Sequence, residues 1–160
     1  MSKNKIYLAH PISNDYEARA SIEMAEALRG LGFEVYAAAE NKSINDKTND
    51  PTPTDIYNAD VEAILESDIF VVNLTGGYQD GTISEIGLVA GYNEKIGLFG
   101  AGAIPIFAYT TNSRLHNPQF SDGIPSAGAN HLVKGMIDRW GEFYRTKEDM
   151  LEALREWFGE

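Results

Sequence analysis

The chain has 160 residues, which is long enough for one domain with a sizeable hydrophobic core. Its formal net charge is -11 at pH 7. Such an acidic surface repels phosphate groups, which argues against nucleic-acid polymers and anionic membranes as partners. This charge does not exclude a small neutral ligand. The sequence contains no cysteine, which excludes disulfides, thiolate metal sites and cysteine nucleophiles.

Sequence signals for targeting and for metal binding are also missing. The N-terminal residues lack the apolar segment of a signal peptide. No apolar run approaches the length of about 20 residues that a membrane-spanning helix needs. We therefore expect a cytoplasmic protein. Three scattered histidines, His10, His116 and His131, show no metal-ligand spacing, and we expect neither a metal nor a cofactor.

The first half of the chain alternates between strand and helix patterns. Lys5 to Ala9 is a predicted strand, Ala18 to Leu31 an amphipathic helix, and Phe33 to Ala37 a second strand. Ser13-Asn14-Asp15 offers an N-cap ahead of the helix. This order predicts two parallel strands joined by a right-handed crossover. The polar segment from Glu40 to Pro53 is too long for an ordinary connection. We interpret it either as a lid over a ligand site or as an exposed or disordered loop.

The second half continues the same alternation. The predicted elements are a helix from Ile56 to Glu66 capped by Thr54-Asp55, a buried strand from Ile69 to Leu74, a helix from Ser84 to Tyr92, a strand from Ile104 to Tyr109, a helix from Asn130 to Trp140, a short strand at Phe143-Tyr144 and a last helix from Lys147 to Phe158 capped by Thr146. Thr110 to Gly128 is a predicted loop. Together they predict one α/β domain, residues 1–160, with a central parallel sheet of about five strands.

The strongest candidate for a site follows the central strand. Glu85 is predicted in the first turn of a helix that begins just past the carboxyl end of that strand, where open α/β sheets bind ligands. An acidic residue there also has a structural explanation, because the start of a helix favours negative charge. The loop before it favours a site, since it brings Asp80 and Glu85 to one crevice and its glycines leave room for a ligand.

Several common chemistries have no motif here. Glycine-rich dinucleotide, P-loop and nucleophile-elbow patterns are all absent from the sequence. The first strand–helix turn, residues 9–13, has no glycine and no arginine and is a poor phosphate cradle. Carboxylate pairs remain, and these suit substitution at the anomeric carbon of a sugar. Composition alone does not separate such chemistry from acidic side chains that only bind a sugar.

An ordered set of short motifs is similar to one known family. The set consists of Ile6-Tyr7-Leu8-Ala9, Tyr57-Asn58-Ala59-Asp60, Ser67-Asp68-Ile69, and Asp80-Gly81-Thr82 followed by Glu85-Ile86-Gly87. It resembles the nucleoside 2-deoxyribosyltransferases from the first strand to about residue 95, with a weaker similarity at Asn130. The resemblance implies a flavodoxin-like three-layer sandwich. It also implies exchange of the nucleobase of a 2′-deoxynucleoside for a free nucleobase.

The resemblance also implies catalytic roles. The family nucleophile matches Glu85, which would attack C1′ and hold a covalent deoxyribosyl ester. The family tyrosine matched by Tyr7 hydrogen-bonds and orients that carboxylate. The family aspartate matched by Asp60 contacts the base and assists its protonation. From the spacing alone, an exposed carboxylate on a helix is the favoured interpretation of Asp60.

Further residues complete the site that the resemblance implies. Asp80 would bind the sugar or base side, and we add Ala9 and Gly81 as candidate substrate contacts. Asn130 would reach the sugar 5′-hydroxyl from a neighbouring subunit, although its position also suits a helix N-cap. A shared site implies a homo-oligomer built from dimers, up to a hexamer.

Two other functions stay open at this stage. The first is a hydrolase of 2′-deoxynucleoside 5′-monophosphates, in which water replaces the second base. Such enzymes hold the phosphate with a Gly/Ser/Arg-rich first loop, which this chain lacks. The second is a non-catalytic nucleotide-binding domain on the same fold, which would not need Tyr7, Asp60 and Glu85 to converge.

Overall fold

The computed structural model describes residues 4–75, 79–97, 102–113, 119–121, 124–126 and 129–158. Its strands are β1 Lys5–Ala9, β2 Glu34–Ala37, β3 Ile69–Asn73, β4 Ile106–Tyr109, β5 Gln119–Ser121, β6 Ile124–Ser126 and β7 Gly141–Tyr144. Its helices are α1 Asp15–Gly30, α2 Lys42–Asn45, α3 Pro53–Leu65, α4 Asp80–Gly97, α5 His131–Trp140 and α6 Lys147–Phe158.

Five strands form one parallel sheet in the order β2-β1-β3-β4-β7. This is the predicted α/β, flavodoxin-like three-layer sandwich, and the prediction of fold class is confirmed. The central strand β3 is buried along its whole length. A parallel strand covered on both faces needs the nearly continuous apolar run from which it was predicted.

The chain divides into two compact units, Met1–Phe70 and Val71–Glu160. The prediction of a single domain stays a prediction. The apolar core of the first unit lies on β1, on one face of α1 and at the start of β3. Its buried side chains are Ile6, Tyr7, Leu8, Ala9, Met24, Ala25, Leu28, Phe33, Ala37, Ala63, Ile64, Ile69 and Phe70.

Local side-chain caps determine where α1 begins. The Asn14 carboxamide oxygen accepts hydrogen bonds from the backbone amides of Tyr16 and Glu17, each at 3.0 Å. Asp15 and Glu17 lie in the first turn, where the positive end of the helix favours acids. The helix therefore starts immediately after the predicted cap, three residues before the predicted apolar stripe.

The start of α3 differs from its prediction. Thr52, rather than Thr54-Asp55, is the N-cap, and the Asp55 carboxylate accepts a hydrogen bond from the Thr52 backbone amide at 2.9 Å. This reciprocal arrangement satisfies two amides that the helix itself leaves unpaired, with Pro53 at the first helical position. The preceding polar segment also has more structure than a loop, because it contains α2 and the short 3₁₀ turns Ala38–Glu40 and Lys47–Asn49.

In the second unit, α4 begins four residues earlier than predicted. The Ile83 amide donates to the Gln79 carbonyl at 3.0 Å, and the Gln79 side chain accepts from the Thr75 amide at 3.0 Å. These bonds start the helix at Asp80. Glu85 consequently lies in the second turn, not in the first, and the structural explanation for an acid at that position becomes weaker.

The predicted loop from Thr110 to Gly128 contains an additional hairpin. Strands β5 and β6 pair antiparallel, with Ser121 opposite Ile124. The sequence between them is Asp122-Gly123, a dipeptide that strongly favours hairpins and that could have predicted this one. Residues 114–118, 122–123 and 127–128 of the predicted loop lie outside the described residues.

Helix α5 runs directly into the edge strand β7. Gly141 begins that strand and is paired with Ile106 of β4. A Cβ atom at Gly141 would overlap the Ile106 backbone carbonyl, so only glycine allows this close approach. By contrast, a Cβ atom at Gly135 in α5 would meet no atom within 4 Å.

We expect Gly141→Ala to lower the free energy of unfolding by about 2 kcal/mol or more, because the backbone of β4 has to move to accept the methyl group. Gly135→Ala is the matched control and should raise it by about 0.5–1 kcal/mol, since alanine is the better helix former. Urea unfolding followed by circular dichroism measures both. Equal stability of the two variants would contradict the close packing at Gly141.

Candidate active site

Two tyrosines of neighbouring strands form the centre of the candidate site in the first unit. Tyr7 of β1 and Tyr36 of β2 are register partners in the parallel pair. Their rings stack with centroids 5.2 Å apart and an interplanar angle of 20°. Tyr7 also stacks on Phe70 of β3, at 5.7 Å and 8°. The three rings lie along one face of the sheet, so both phenols are held by rigid strands.

Asp60 of α3 is the carboxyl group at these phenols. Tyr7 and Tyr36 both hydrogen-bond to it. The side chain is half-buried, and its Oδ1 atom is buried without a hydrogen-bond partner among the described residues. Asp60 is therefore not an exposed helical carboxylate. Sequence periodicity could not show this, because the neighbouring positions of α3 are largely exposed.

Burial raises the pKa of Asp60 above the ordinary aspartate range, although the two phenol hydrogen bonds act in the opposite direction. Desolvation disfavours the charged carboxylate, and it is here the larger effect. A carboxyl group with a raised pKa can carry a proton closer to neutral pH than an exposed one. That property suits a group that gives a proton to a leaving base and later takes one back.

The turn after β1 is closed to anions. The Ser13 amide donates to a Glu17 carboxylate oxygen at 2.7 Å, and the Asn14 side chain occupies the next amides of α1. His10 is buried, its Nδ1 donates to the Pro11 carbonyl at 2.7 Å, and burial lowers the pKa of His10. The amides of Ser13, Tyr16 and Glu17 are thus engaged within the protein, and Glu17 adds a negative charge at a helix start that would otherwise attract an anion.

The predicted residues divide between the two units. Tyr7, Asp60 and the buried Ala9 lie in the first unit. Glu85 lies in the second and is partly buried on α4. That Glu85 meets Tyr7, as the family resemblance implies, stays a prediction. The structure records a Tyr7 contact with Asp60, which the sequence reasoning did not anticipate.

The other predicted substrate contacts also belong to the second unit. Asp80 is exposed at the first position of α4, and its Oδ1 accepts from the Gly81 amide at 3.0 Å. Asn130 is the N-cap of α5 and accepts from the Leu132 amide at 2.9 Å. The capping role of Asn130 is confirmed, and its contact with a substrate stays a prediction.

Tyr36 is the residue of this site that sequence reasoning missed, since it was assigned only to a predicted strand. A signal was present: Tyr7 and Tyr36 each lie near the middle of neighbouring parallel strands. An in-register pair of tyrosines places two phenols on the same face of a sheet.

Two further properties concern the described residues as a group. Among them, no cluster of three or more His, Asp or Glu side chains could hold a metal ion. No helix in the described part of the chain has the length and apolarity to cross a membrane.

Comparison with known proteins identifies the family of the chain. Residues 6–139 match the family described as nucleoside 2-deoxyribosyltransferase. The match spans well over half of the chain, and the chain belongs to that family. The family is enzymatic and acts on nucleosides and nucleobases as small-molecule substrates. No curated protein matches the chain significantly.

Solved structures share the fold. A conserved protein from Enterococcus faecalis V583 has a TM-score of 0.78 at 28% sequence identity, covering 98% of this chain and 100% of that chain. A 2-deoxyribosyltransferase from Bacillus psychrosaccharolyticus has a TM-score of 0.62 at 21% identity, covering 92% and 90%. A CMP N-glycosidase from Clostridium botulinum has a TM-score of 0.59 at 16% identity, covering 97% and 100%.

The raised pKa of Asp60 predicts a stability cost. Below its unfolded pKa of about 3.9, the group is neutral in both states, so burial costs little. As pH rises through the folded pKa, the burial of the charge destabilises the fold. We therefore expect Asp60→Asn to be more stable than the wild type at pH 7, with the difference shrinking as pH falls toward 4. Urea unfolding at several pH values measures it.

Asp55→Asn on the same helix is the control of opposite sign. The Thr52 hydroxyl, and then the Thr52 backbone amide, lower the pKa of Asp55. Its contribution to stability is present above the unfolded pKa and is lost as pH falls through the folded pKa. Asp55→Asn should therefore be less stable than the wild type at pH 7. An Asp60→Asn variant that also lost stability at pH 7 would mean that the Asp60 carboxylate is structural.

Proposed function

We propose that the protein is a nucleoside 2-deoxyribosyltransferase that exchanges the nucleobase of a 2′-deoxynucleoside through a covalent ester on Glu85. The observation that carries the proposal is the Asp60 carboxyl group, held by two phenols with one buried oxygen unpaired. Membership of an enzyme family supports a catalytic role for this carboxyl group. A buried carboxyl oxygen without a hydrogen-bond partner among the described residues is uncommon, and it supports a ligand contact at Asp60.

In the first half of the proposed reaction, the Glu85 carboxylate attacks C1′ of the deoxyribose. The bond from C1′ to the base nitrogen breaks, its electron pair leaves with the base, and Asp60 supplies a proton to that base. The product is a deoxyribosyl ester of Glu85. Two carboxyl groups then divide the work, one as nucleophile and one as acid, as in retaining glycosidases.

The second half reverses these steps with a different base. A ring nitrogen of the incoming base attacks C1′, the ester bond breaks, and the Glu85 carboxylate is regenerated. The proton that the new base loses returns to Asp60, so no proton is gained or lost over the cycle. The exchange needs no cofactor, because bond making and bond breaking balance between the two bases.

Asp80, Gly81 and Ala9 complete the proposed substrate contacts. Asp80 and Gly81 form the exposed start of α4, where a carboxylate can accept hydrogen bonds from sugar hydroxyls. Ala9 ends β1 two residues after Tyr7, so the two side chains lie on the same face of the strand.

A neutral nucleoside fits better than a nucleotide as the substrate. The likeness to a CMP N-glycosidase makes hydrolysis of a nucleoside 5′-monophosphate the second candidate. The Glu17 carboxylate on the Ser13 amide disfavours it, because a second anion at that helix start would be repelled. A 5′-hydroxyl carries no charge and meets no such repulsion.

We further propose that the active form is a homo-oligomer in which Asn130 reaches the sugar of a neighbouring subunit. Beside Asn130, helices α4 and α5 border an open groove of about 440 Å³ lined by Gly87, Ala90, Gly91, Leu132 and Met136. The Leu132 side chain is 69% exposed. An apolar groove of this kind is typical of a protein-protein contact. Light scattering on the purified protein tests the assembly.

The deciding experiment is incubation of the purified protein with deoxyinosine and adenine. Appearance of deoxyadenosine supports the transferase, whereas free deoxyribose alone would make the protein a hydrolase. The same incubation with deoxyinosine 5′-monophosphate measures the preference for a free 5′-hydroxyl. No conversion of either substrate would leave a non-catalytic binding domain as the better interpretation.

We expect Glu85→Ala to abolish base exchange, because the variant lacks the carboxylate that forms the ester with C1′ in the proposed reaction. The fold should persist, with a loss of less than about 1 kcal/mol, since Glu85 lies past the first helical turn, where the helix dipole has little effect. Product formation by chromatography and thermal unfolding measure the two quantities. The matched control is Glu23→Ala, an exposed acid within α1, which should keep full activity. Substantial exchange by folded Glu85→Ala protein would refute the nucleophile assignment.

A further inference from the structure

A series of hydrogen bonds in the first unit links Ser43, Asn41 and Tyr36 to Asp60, and the proposed reaction does not use it. The Asn41 side-chain nitrogen donates to the Tyr36 phenol oxygen at 3.0 Å. The Asn41 oxygen accepts from the Ser43 amide at 3.1 Å and from the Ser43 hydroxyl at 2.6 Å, which caps α2. The chain continues from Tyr36 to the carboxyl group of Asp60.

The direction of this chain follows from the donors. A backbone amide can only donate, so the Asn41 atom that faces the Ser43 amide has to be oxygen. The atom that faces Tyr36 is then nitrogen, which also only donates. The phenol oxygen is therefore the acceptor, and the single phenol proton is available for Asp60. Hydrogen bonds that share one direction in this way strengthen one another.

The phenol ring is also held in place. It stacks on Tyr7 with centroids 5.2 Å apart, and the strand pairing places the two tyrosines opposite each other. The segment that carries Asn41 is anchored by Arg29, which binds the Glu40 carboxylate at 2.9 Å and the Val35 carbonyl at 3.0 Å. The beginning of the polar segment from Glu40 to Pro53 is thus tied to α1 and β2.

We propose that Tyr36, oriented by Asn41, is a positioning residue that holds the Asp60 carboxyl group and presents its unpaired Oδ1 to an N–H or ring nitrogen of the nucleobase. This inference rests on the proposed function for the identity of the ligand. The hydrogen bonds between Asn41, Tyr36 and Asp60 do not depend on the identity of the ligand. Tyr36 acts through Asp60 and makes no bond to the reacting atoms.

This arrangement gives the two phenols different tasks. Each can donate only one proton, and the proton of Tyr36 is directed to Asp60 by Asn41. In the proposed reaction, Tyr7 orients the Glu85 carboxylate, as the family resemblance implies. With Tyr36 in place, Asp60 keeps one hydrogen bond throughout, and its Oδ1 stays oriented toward the base.

The first test is independent of activity. Carbon-13 NMR of aspartate-labelled protein follows the titration of Asp60 in the wild type, Tyr36→Phe and Asn41→Ala. The titratable groups at this carboxyl are the phenols of Tyr7 and Tyr36. Tyr36→Phe keeps the ring stack and removes one donor to the charged form, so we expect the pKa of Asp60 to rise. Asn41→Ala should shift it in the same direction.

Tyr16→Phe is the matched control, because that phenol is 83% exposed on α1. It should leave the Asp60 titration unchanged. An Asp60 pKa that does not move in folded Tyr36→Phe protein would overturn the proposal. If Tyr36→Phe does not fold, the Asp60 titration in Asn41→Ala decides instead, since that substitution removes only the group that orients the phenol. An unchanged Asp60 pKa there would also overturn the proposal.

The second test is kinetic. In the exchange of deoxyinosine with adenine, Tyr36→Phe should lower kcat about tenfold, the size expected for one lost hydrogen bond to a charged group. KM should change less than about twofold, because Tyr36 does not contact the substrate and its loss leaves ground-state binding of the substrate unaffected. The same substitution in an Asp60→Asn background should have little further effect, since neighbouring residues that act as a unit are not additive. A full tenfold loss in that background would refute action through Asp60.

The two proposals fail in different ways. If the wild type exchanges no base, the proposed function fails, and the NMR titration still decides whether Tyr36 positions Asp60. If exchange occurs but neither the titration nor the rate responds to Tyr36→Phe, the function stands and the positioning role is wrong.

Discussion

The contact between the Asp60 carboxyl group and two phenols is the interaction on which the candidate site depends. A half-buried carboxyl with an unpaired oxygen is costly for a fold, because burial disfavours its charged form. The phenols of Tyr7 and Tyr36 offset part of that cost and leave one oxygen open. The remaining cost keeps the pKa of Asp60 above the ordinary aspartate range, as the proposed role as acid and base requires.

The parallel sheet makes this contact possible. Register pairing of β1 and β2 places Tyr7 and Tyr36 side by side on one face, and Phe70 extends the row onto β3. Rigid strands hold the phenols better than loops would, so the carboxyl is met by preorganised donors. In the turn after β1, Glu17 places a carboxylate on the Ser13 amide, and this negative charge would repel a phosphate group at the same helix start.

Features with local causes could be predicted from the sequence. The caps at Asn14, Asn130 and Thr146 depend on one side chain and amides two or three residues away, and all three were found where expected. The predicted start of α4 was wrong because the true start depends on a hydrogen bond between the Thr75 amide and the Gln79 side chain. The burial of Asp60 was missed because it comes from strands far away along the chain.

Residue order alone was sufficient for the five parallel strands, the family and the list of candidate residues, because apolar periodicity and short motifs are properties of neighbouring positions. Packing determined which of those residues meet. Tyr36 entered the site through strand register, and Asn41 through a turn that sequence patterns showed only as a polar segment. Hydrogen bonds and desolvation depend on distances in space, and these distances exist only once the strands are paired.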